Sequence, residues 1–178
     1  MNLARVLSNL PEIKALFIDV NSLKFLCAEN VPKWLPDPVC SLKHLGFRKF
    51  QFGDLDQLDG ALCLLRNSPT ITQLLVIHLE EEPQADVGPA SNLLEAPNCL
   101  GCTLTQLQRV LITCFEGSRP ELLFIKLLLA HSPSLENCYI IPSGSSDVQK
   151  RLDIARVLML FPRSSPKAKI IYLNVHYP

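Results

Sequence analysis

Five segments of the chain share one apolar spacing, two residues separating the first pair of apolar positions and one residue the second: Ile13-Leu16-Ile18, Leu42-Leu45-Phe47, Ile71-Leu74-Val76, Leu107-Val110-Ile112 and Leu135-Cys138-Ile140. Their middle residues are 29, 29, 36 and 28 positions apart, at or just above the roughly 20–29-residue period of leucine-rich repeats except for one longer step. A unit of that size cannot bury its own apolar face, so neighbouring units must stack. Each triplet then becomes a strand and the stretch between triplets supplies a helix. This predicts an α/β, leucine-rich-repeat-type solenoid with a parallel sheet on one face and helices on the other. The 33 Leu among 178 residues, against 7 Gly, fit that architecture better than average globular usage does.

An insertion explains the long step. Residues 80–99, EEEPQADVGPASNLLEAPNC, hold five acidic residues, three Pro and no Lys or Arg, the composition of an exposed acidic loop. Outside it, NSPTITQLLV at 67–76 is echoed by HSPSLENCYI at 131–140, each after a helical apolar segment. Helices are expected over 54–67, with Leu55, Leu58, Leu62 and Leu65 on one face, and over 120–131, with Pro120 at the start and Leu122, Ile125 and Leu129 inward. Ser146 and Gln149 have the spacing of a capping box, and Val148, Leu152, Ala155 and Met159 follow at helical intervals until Phe161-Pro162 stops the helix. Residues 168–175 read as a last strand. The first twenty residues read as a strand pattern containing Pro11, without the polar cap a solenoid end requires, so a further segment is expected before Met1.

Side chains alternate along a strand, so the residues beside each core position turn outward. They are Phe17 and Asp19, Gly46 and Arg48, Leu75 and Ile77, Leu111 and Thr113, and Tyr139 and Ile141. Five strands at about 4.8 Å spacing carry them across a face roughly 20 Å wide, enough for a peptide or a helix. Several are apolar, as an interaction patch would be, although a covering loop would give the same composition. The candidate protein-binding residues are therefore Phe17, Asp19, Arg48, Leu75, Ile77, Leu111, Thr113 and Tyr139.

No catalytic constellation is legible. Cys99 and Cys102 form a lone C-x-x-C, half of the shell a structural zinc needs, and Pro97-Asn98 and Thr103-Leu104 do not place it at a helix start that would activate a thiol. The remaining cysteines, at 27, 40, 63, 114 and 138, are scattered and read as small hydrophobes kept reduced. His44, His78, His131 and His176 are dispersed, and His131 stands where it can meet the last carbonyls of a helix. The Ser-Gly-Ser-Ser run at 143–146 lacks the Lys of a phosphate loop and reads as a turn. Neither a metal nor any other cofactor is expected, and an enzyme is not the favoured class.

Balanced charge, 17 Lys+Arg against 17 Asp+Glu, argues against a strongly charged polymer binder. Residues 50–100 hold eight acids and one base, and 150–178 hold six bases and one acid. Those bases, Lys150, Arg151, Arg156, Arg163, Lys167 and Lys169, are dispersed and read better as a solvated helix face than as a binding patch, so nucleic acid is not the expected partner. No apolar run approaches the roughly 18–20 residues a bilayer crossing needs, and no secretory signal is spelled, so no membrane partner and a cytoplasmic or nuclear location are expected.

From residue 104 the chain reads LTQLQRVLITCFEGSRPELLFIKLLLAHSPSLE and then, from 149, QKRLDIARVLMLFPRSSPKAKIIYL. This resembles the FBD region of plant F-box/FBD/LRR-repeat proteins. The likeness is carried by Val110, Ile112, Phe115 and Gly117, by the helix over 121–129, by His131-Ser132-Pro133-Ser134-Leu135-Glu136 and by Phe161-Pro162-Arg163 before 168–173. The resemblance implies degenerate leucine-rich repeats over 1–100, with the acidic insertion at about 80–99, and FBD-like repeats and a cap over 101–178. It further implies a protein-binding module of the kind that recognises substrates for a cullin-RING-type ubiquitin ligase. The target protein is not named by the sequence. No F-box is legible in the first residues, so the ligase adaptor is a partner only if an F-box lies upstream of Met1. A stand-alone scaffold or dominant-negative fragment is the alternative, and a thiol-dependent or hydrolytic enzyme a distant third.

Overall fold

The computed structural model describes residues 3–27, 33–79 and 86–173. They form α1(Leu3–Ser8), β1(Ala15–Asp19), α2(Val20–Cys27), β2(His44–Phe50), α3(Leu55–Arg66), β3(Gln73–His78), α4(Gly88–Glu95), β4(Arg109–Phe115), α5(Arg119–His131), β5(Asn137–Pro142), α6(Val148–Met159) and β6(Lys169–Tyr172). All six strands pair in parallel in their chain order. Parallel neighbours cannot be joined by a hairpin, and each crossover here carries a helix.

The register reproduces the repeat found by spacing. Leu16, Leu45, Leu74, Val110, Cys138 and Ile170 stand opposite one another across the sheet, and Ile18, Phe47, Val76, Ile112, Ile140 and Tyr172 make the next row. Most of these side chains are fully buried, in one core with Leu58, Leu62 and Leu65 of α3 and Phe124, Ile125, Leu128 and Leu129 of α5. Apart from Gly46, the alternate residues of the same strands stay at least partly exposed, so the helices seal only one face of the sheet.

The turns between units repeat at atomic level. The Lys14 carbonyl accepts the amides of Lys43 and His44, that of Lys43 the amides of Thr72 and Gln73, and that of Thr72 the amides of Gln108 and Arg109. Ser41 Oγ lies 2.7 and 2.8 Å from the Pro11 and Ile13 carbonyls, and Thr70 Oγ1 lies 2.7 and 2.9 Å from those of Cys40 and Leu42. The 67–76 and 131–140 echo has a physical content: Asn67 Nδ2 and His131 Nδ1 each meet the carbonyl four residues back, Cys63 at 2.8 Å and Leu127 at 2.9 Å. Both side chains close the last turn of a helix, the role expected for His131. A third copy of the turn, Ser165-Pro166-Lys167-Ala168, leads into β6; its Ser165 Oγ meets the Leu135 carbonyl at 2.6 Å.

Several local expectations are corrected. Residues 3–8 are helical rather than strand, because Pro11 lies in the turn that follows the helix rather than within an extended run. Residues 88–95 are not loop but α4, with Pro89 in its first turn and Ala90, Ser91 and Leu94 buried; the acids lie at its margins, leaving an apolar centre that packs toward α5. Residues 80–85 are outside the described residues. The N-cap of α6 is Asp147, whose carboxylate accepts the Lys150 amide at 2.7 Å, rather than Ser146. That helix buries Ile154 and Leu158, whereas Val148, Leu152 and Met159 of the expected stripe are exposed. In α3, Leu58, Leu62 and Leu65 are buried as expected, but Leu55 in the first turn is exposed.

Candidate protein-binding face

On the open side of the sheet, Phe17, Gly46, Leu75, Leu111, Tyr139 and Ile171 are register partners from β1 to β6. Two residues further along the strands, Asp19, Arg48, Ile77 and Thr113 form the next row. All eight candidate residues therefore share one face, as strand alternation requires. Phe17 and Arg48 are exposed, and Asp19, Leu75, Ile77, Leu111, Thr113 and Tyr139 are half-buried. Ile141 lies beyond the register shift between Ile112 and Phe115 and continues neither row.

Two details give the face its shape. A Cβ on Gly46 would fall inside the Phe17 ring, so the absent side chain is what lets the ring lean across β2. The Arg48 guanidinium stands over the same ring, 5.9 Å from its centre. Between Phe17 and Tyr139 the surface sinks into a depression of about 260 Å³ whose floor includes Leu75 and Leu111. Its border toward the strand starts is made by His44, Gln73 and Arg109, part of an outward row not foreseen from the sequence that runs from Ala15 to Asn137 and Lys169. One more step of the same two-residue alternation would have found it. Within that row His44 Nδ1 meets Gln73 Oε1 at 3.2 Å.

The other chemically suggestive residues serve the fold. Glu121, fully buried, is the third residue of α5 and closes a capping box with Ser118. Its carboxylate accepts the Ser118 amide at 2.7 Å and the Glu116 amide at 3.2 Å, and its Oε1 meets His78 Nδ1 at 2.7 Å. The end of β3 is thereby fastened to the start of α5, with Phe52 edge-on to the His78 ring. The Ser118-x-x-Glu121 spelling could have revealed the cap; the His78 partner, 43 residues away, could not be read. Burial raises the thiols of Cys63, Cys99 and Cys102 while the nearby Arg66 charge pulls them back, and burial pushes Cys138 up to about 12. Neutral thiols of this kind are poor nucleophiles. The Arg66 guanidinium itself donates to the Cys99 carbonyl. Among the described residues no three His, Cys, Asp or Glu side chains are grouped to hold a metal, and no helix is long and apolar enough to cross a membrane. His176 lies outside the described residues.

Over 173 residues, 97% of its length, the chain is 30% identical to an F-box/FBD/LRR-repeat protein of Arabidopsis thaliana. This supports the family resemblance read from the sequence, a plant F-box/FBD/LRR-repeat type at moderate identity. The chain spans 41% of that relative's length. No family model and no solved structure matches it.

Proposed function

We propose that the chain is the target-holding part of an F-box ubiquitin-ligase subunit, a leucine-rich-repeat solenoid whose open sheet face binds a protein. The observation that carries this reading is the asymmetry of the sheet: one side is sealed by helices, while the other offers an apolar row from exposed Phe17, whose ring covers Gly46, through half-buried Leu75 and Leu111 to Tyr139. Buried sheet faces are the rule in parallel sheets, so an open apolar one calls for an occupant. The likeness to an F-box/FBD/LRR-repeat protein supports a protein as that occupant. Adaptor docking would fall to an F-box joined to this module, the helical element that docks the adaptor in the family the sequence resembles.

The test compares the chain with Asp19→Ala, Arg48→Ala and Tyr139→Ala variants as baits for proximity labelling in plant cells. Proteins labelled by the unsubstituted chain and lost with Tyr139→Ala, at unchanged melting temperature, support the face as the binding surface; a labelling pattern indifferent to all three substitutions overturns it. A side-by-side pull-down with purified adaptor tests the ligase coupling. Fusing an F-box ahead of the chain should create adaptor capture, and equal capture by the unfused chain would place that function elsewhere.

A further inference from the structure

We infer that the face accepts an extended segment in which an apolar side chain is followed or preceded, two residues away, by a carboxylate. The inference rests on the sheet face being the binding surface, and it specifies the chemistry of what binds there. Leu75, Leu111 and Tyr139 supply the apolar floor. The flanking row toward the strand starts contains Arg109 and Lys169 and no carboxylate. Both cations are exposed, and among the described residues neither has an ion pair or a side-chain hydrogen bond, whereas His44 and Gln73 in the same row are in contact with each other. With Asn137 of β5 between them, Arg109 and Lys169 stand about 10 Å apart.

The opposite flank makes no such demand. There Arg48 is held over Phe17, and Asp19 lies 3.9 Å from Lys49 Nζ. That flank carries one charge of each sign, Asp19 beside its register partner Arg48, whereas the row toward the strand starts carries cations alone. Successive outward rows lie about 7 Å apart along the strands, the spacing of alternate residues in an extended chain. A segment aligned with the strands would set one side chain on Leu111 and Tyr139 and its second neighbour beside Arg109. A carboxylate there meets an exposed cation, which selects among partners more than it adds affinity.

The probes are short, end-blocked fluorescent peptide pools containing Leu, flanked at both second neighbours by Asp, by Lys or by Ser, the remaining positions being mixed. The immobilised full chain should retain the Asp pool about threefold to tenfold more than the Lys pool at low salt. Arg109→Glu and Lys169→Glu should each shrink that preference and together reverse it, while Lys126→Glu on exposed α5 surface should leave it unchanged. Leu111→Asn and Tyr139→Ala, checked for folding by circular dichroism, should lower retention of every pool. Equal retention of Asp and Lys pools, both lost in the apolar variants, overturns the charge assignment and leaves the face as a binding surface. Retention indifferent to Leu111→Asn and Tyr139→Ala overturns both. Retention of no pool overturns this inference alone, because the labelling test uses whole proteins and does not depend on it.

Discussion

The ring of Phe17 on β1 occupies the space that a side chain on its register partner Gly46 of β2 would fill. The glycine is needed for room, not for an unusual backbone angle, since its φ lies outside the left-handed region. Gly46→Ala should therefore displace the ring and loosen the Arg48 stacking. Phe17 is 50% exposed on an edge strand, so the ring can swing toward solvent. The expected change in stability is within about 1 kcal/mol, because the restricted unfolded chain offsets part of the crowding. Ligand retention on the face should change more than melting temperature does. A stability loss above about 3 kcal/mol would instead make Phe17 a core residue.

Glu121 is a fully buried charged side chain that joins β3 to the start of α5. Replacing it with Ala removes the acceptor of the Ser118 and Glu116 amides and the contact to His78 Nδ1, and leaves a buried void. Removing one member of a buried, hydrogen-bonded pair costs about 3–5 kcal/mol. Glu121→Gln, which keeps acceptor capacity but not charge, should cost less. In urea unfolding, Glu121→Ala and His78→Ala should be non-additive, since each removes the same contact. Simple additivity would mean the two side chains are energetically independent.

The sheet was legible because its signal is redundant: five triplets in one spacing fix strands, order and register together, and the register rows pair the same residues the spacing aligned. The outward candidates followed from alternation alone. What escaped depended on partners outside the local pattern. The acidic content around α4 masked Leu94, buried, and Leu93, partly buried, where the helix packs against α5 and α3. Gly46 was readable as an outward position, but its relation to Phe17 needs the neighbouring strand in place. Arg109 and Lys169 look like ordinary surface charges until the register sets them in one row.

Helix α6 shows the limit of periodicity and offers a direct test. Its sequence permits two apolar stripes, and the buried one is chosen by Gly117, which at φ +76 leaves room for Ile154 directly above it. Ile154→Ala should cost about 2–4 kcal/mol in chemical unfolding. Leu152→Ala should cost under about 1 kcal/mol, because Leu152 is 45% exposed. Gly117→Ala combines a left-handed backbone with a clash against Ile154, so it should destabilise by at least about 1 kcal/mol. Equal costs at 152 and 154 would mean that the helix is rotated from the position described.

Alkaline unfolding should report on Cys138. Burial holds its thiol neutral, with a pKa of about 12 against an ordinary value of 9.0. The unfolded chain can release this proton in the window where the folded chain cannot. Stability from the group is therefore unaffected below pH 9 and falls progressively between pH 9 and 12, with a full effect on the order of a few kcal/mol. Other alkaline groups contribute equally to a Cys138→Ala variant, which begins less stable because of the cavity left behind but should lose stability less steeply over that window. At pH 8 a disulfide reagent should modify exposed Cys40 in the native protein and reach Cys138 only as the chain unfolds. Parallel alkaline slopes for the two proteins, or rapid native-state labelling of Cys138, would show that this thiol is not sealed beneath the sheet.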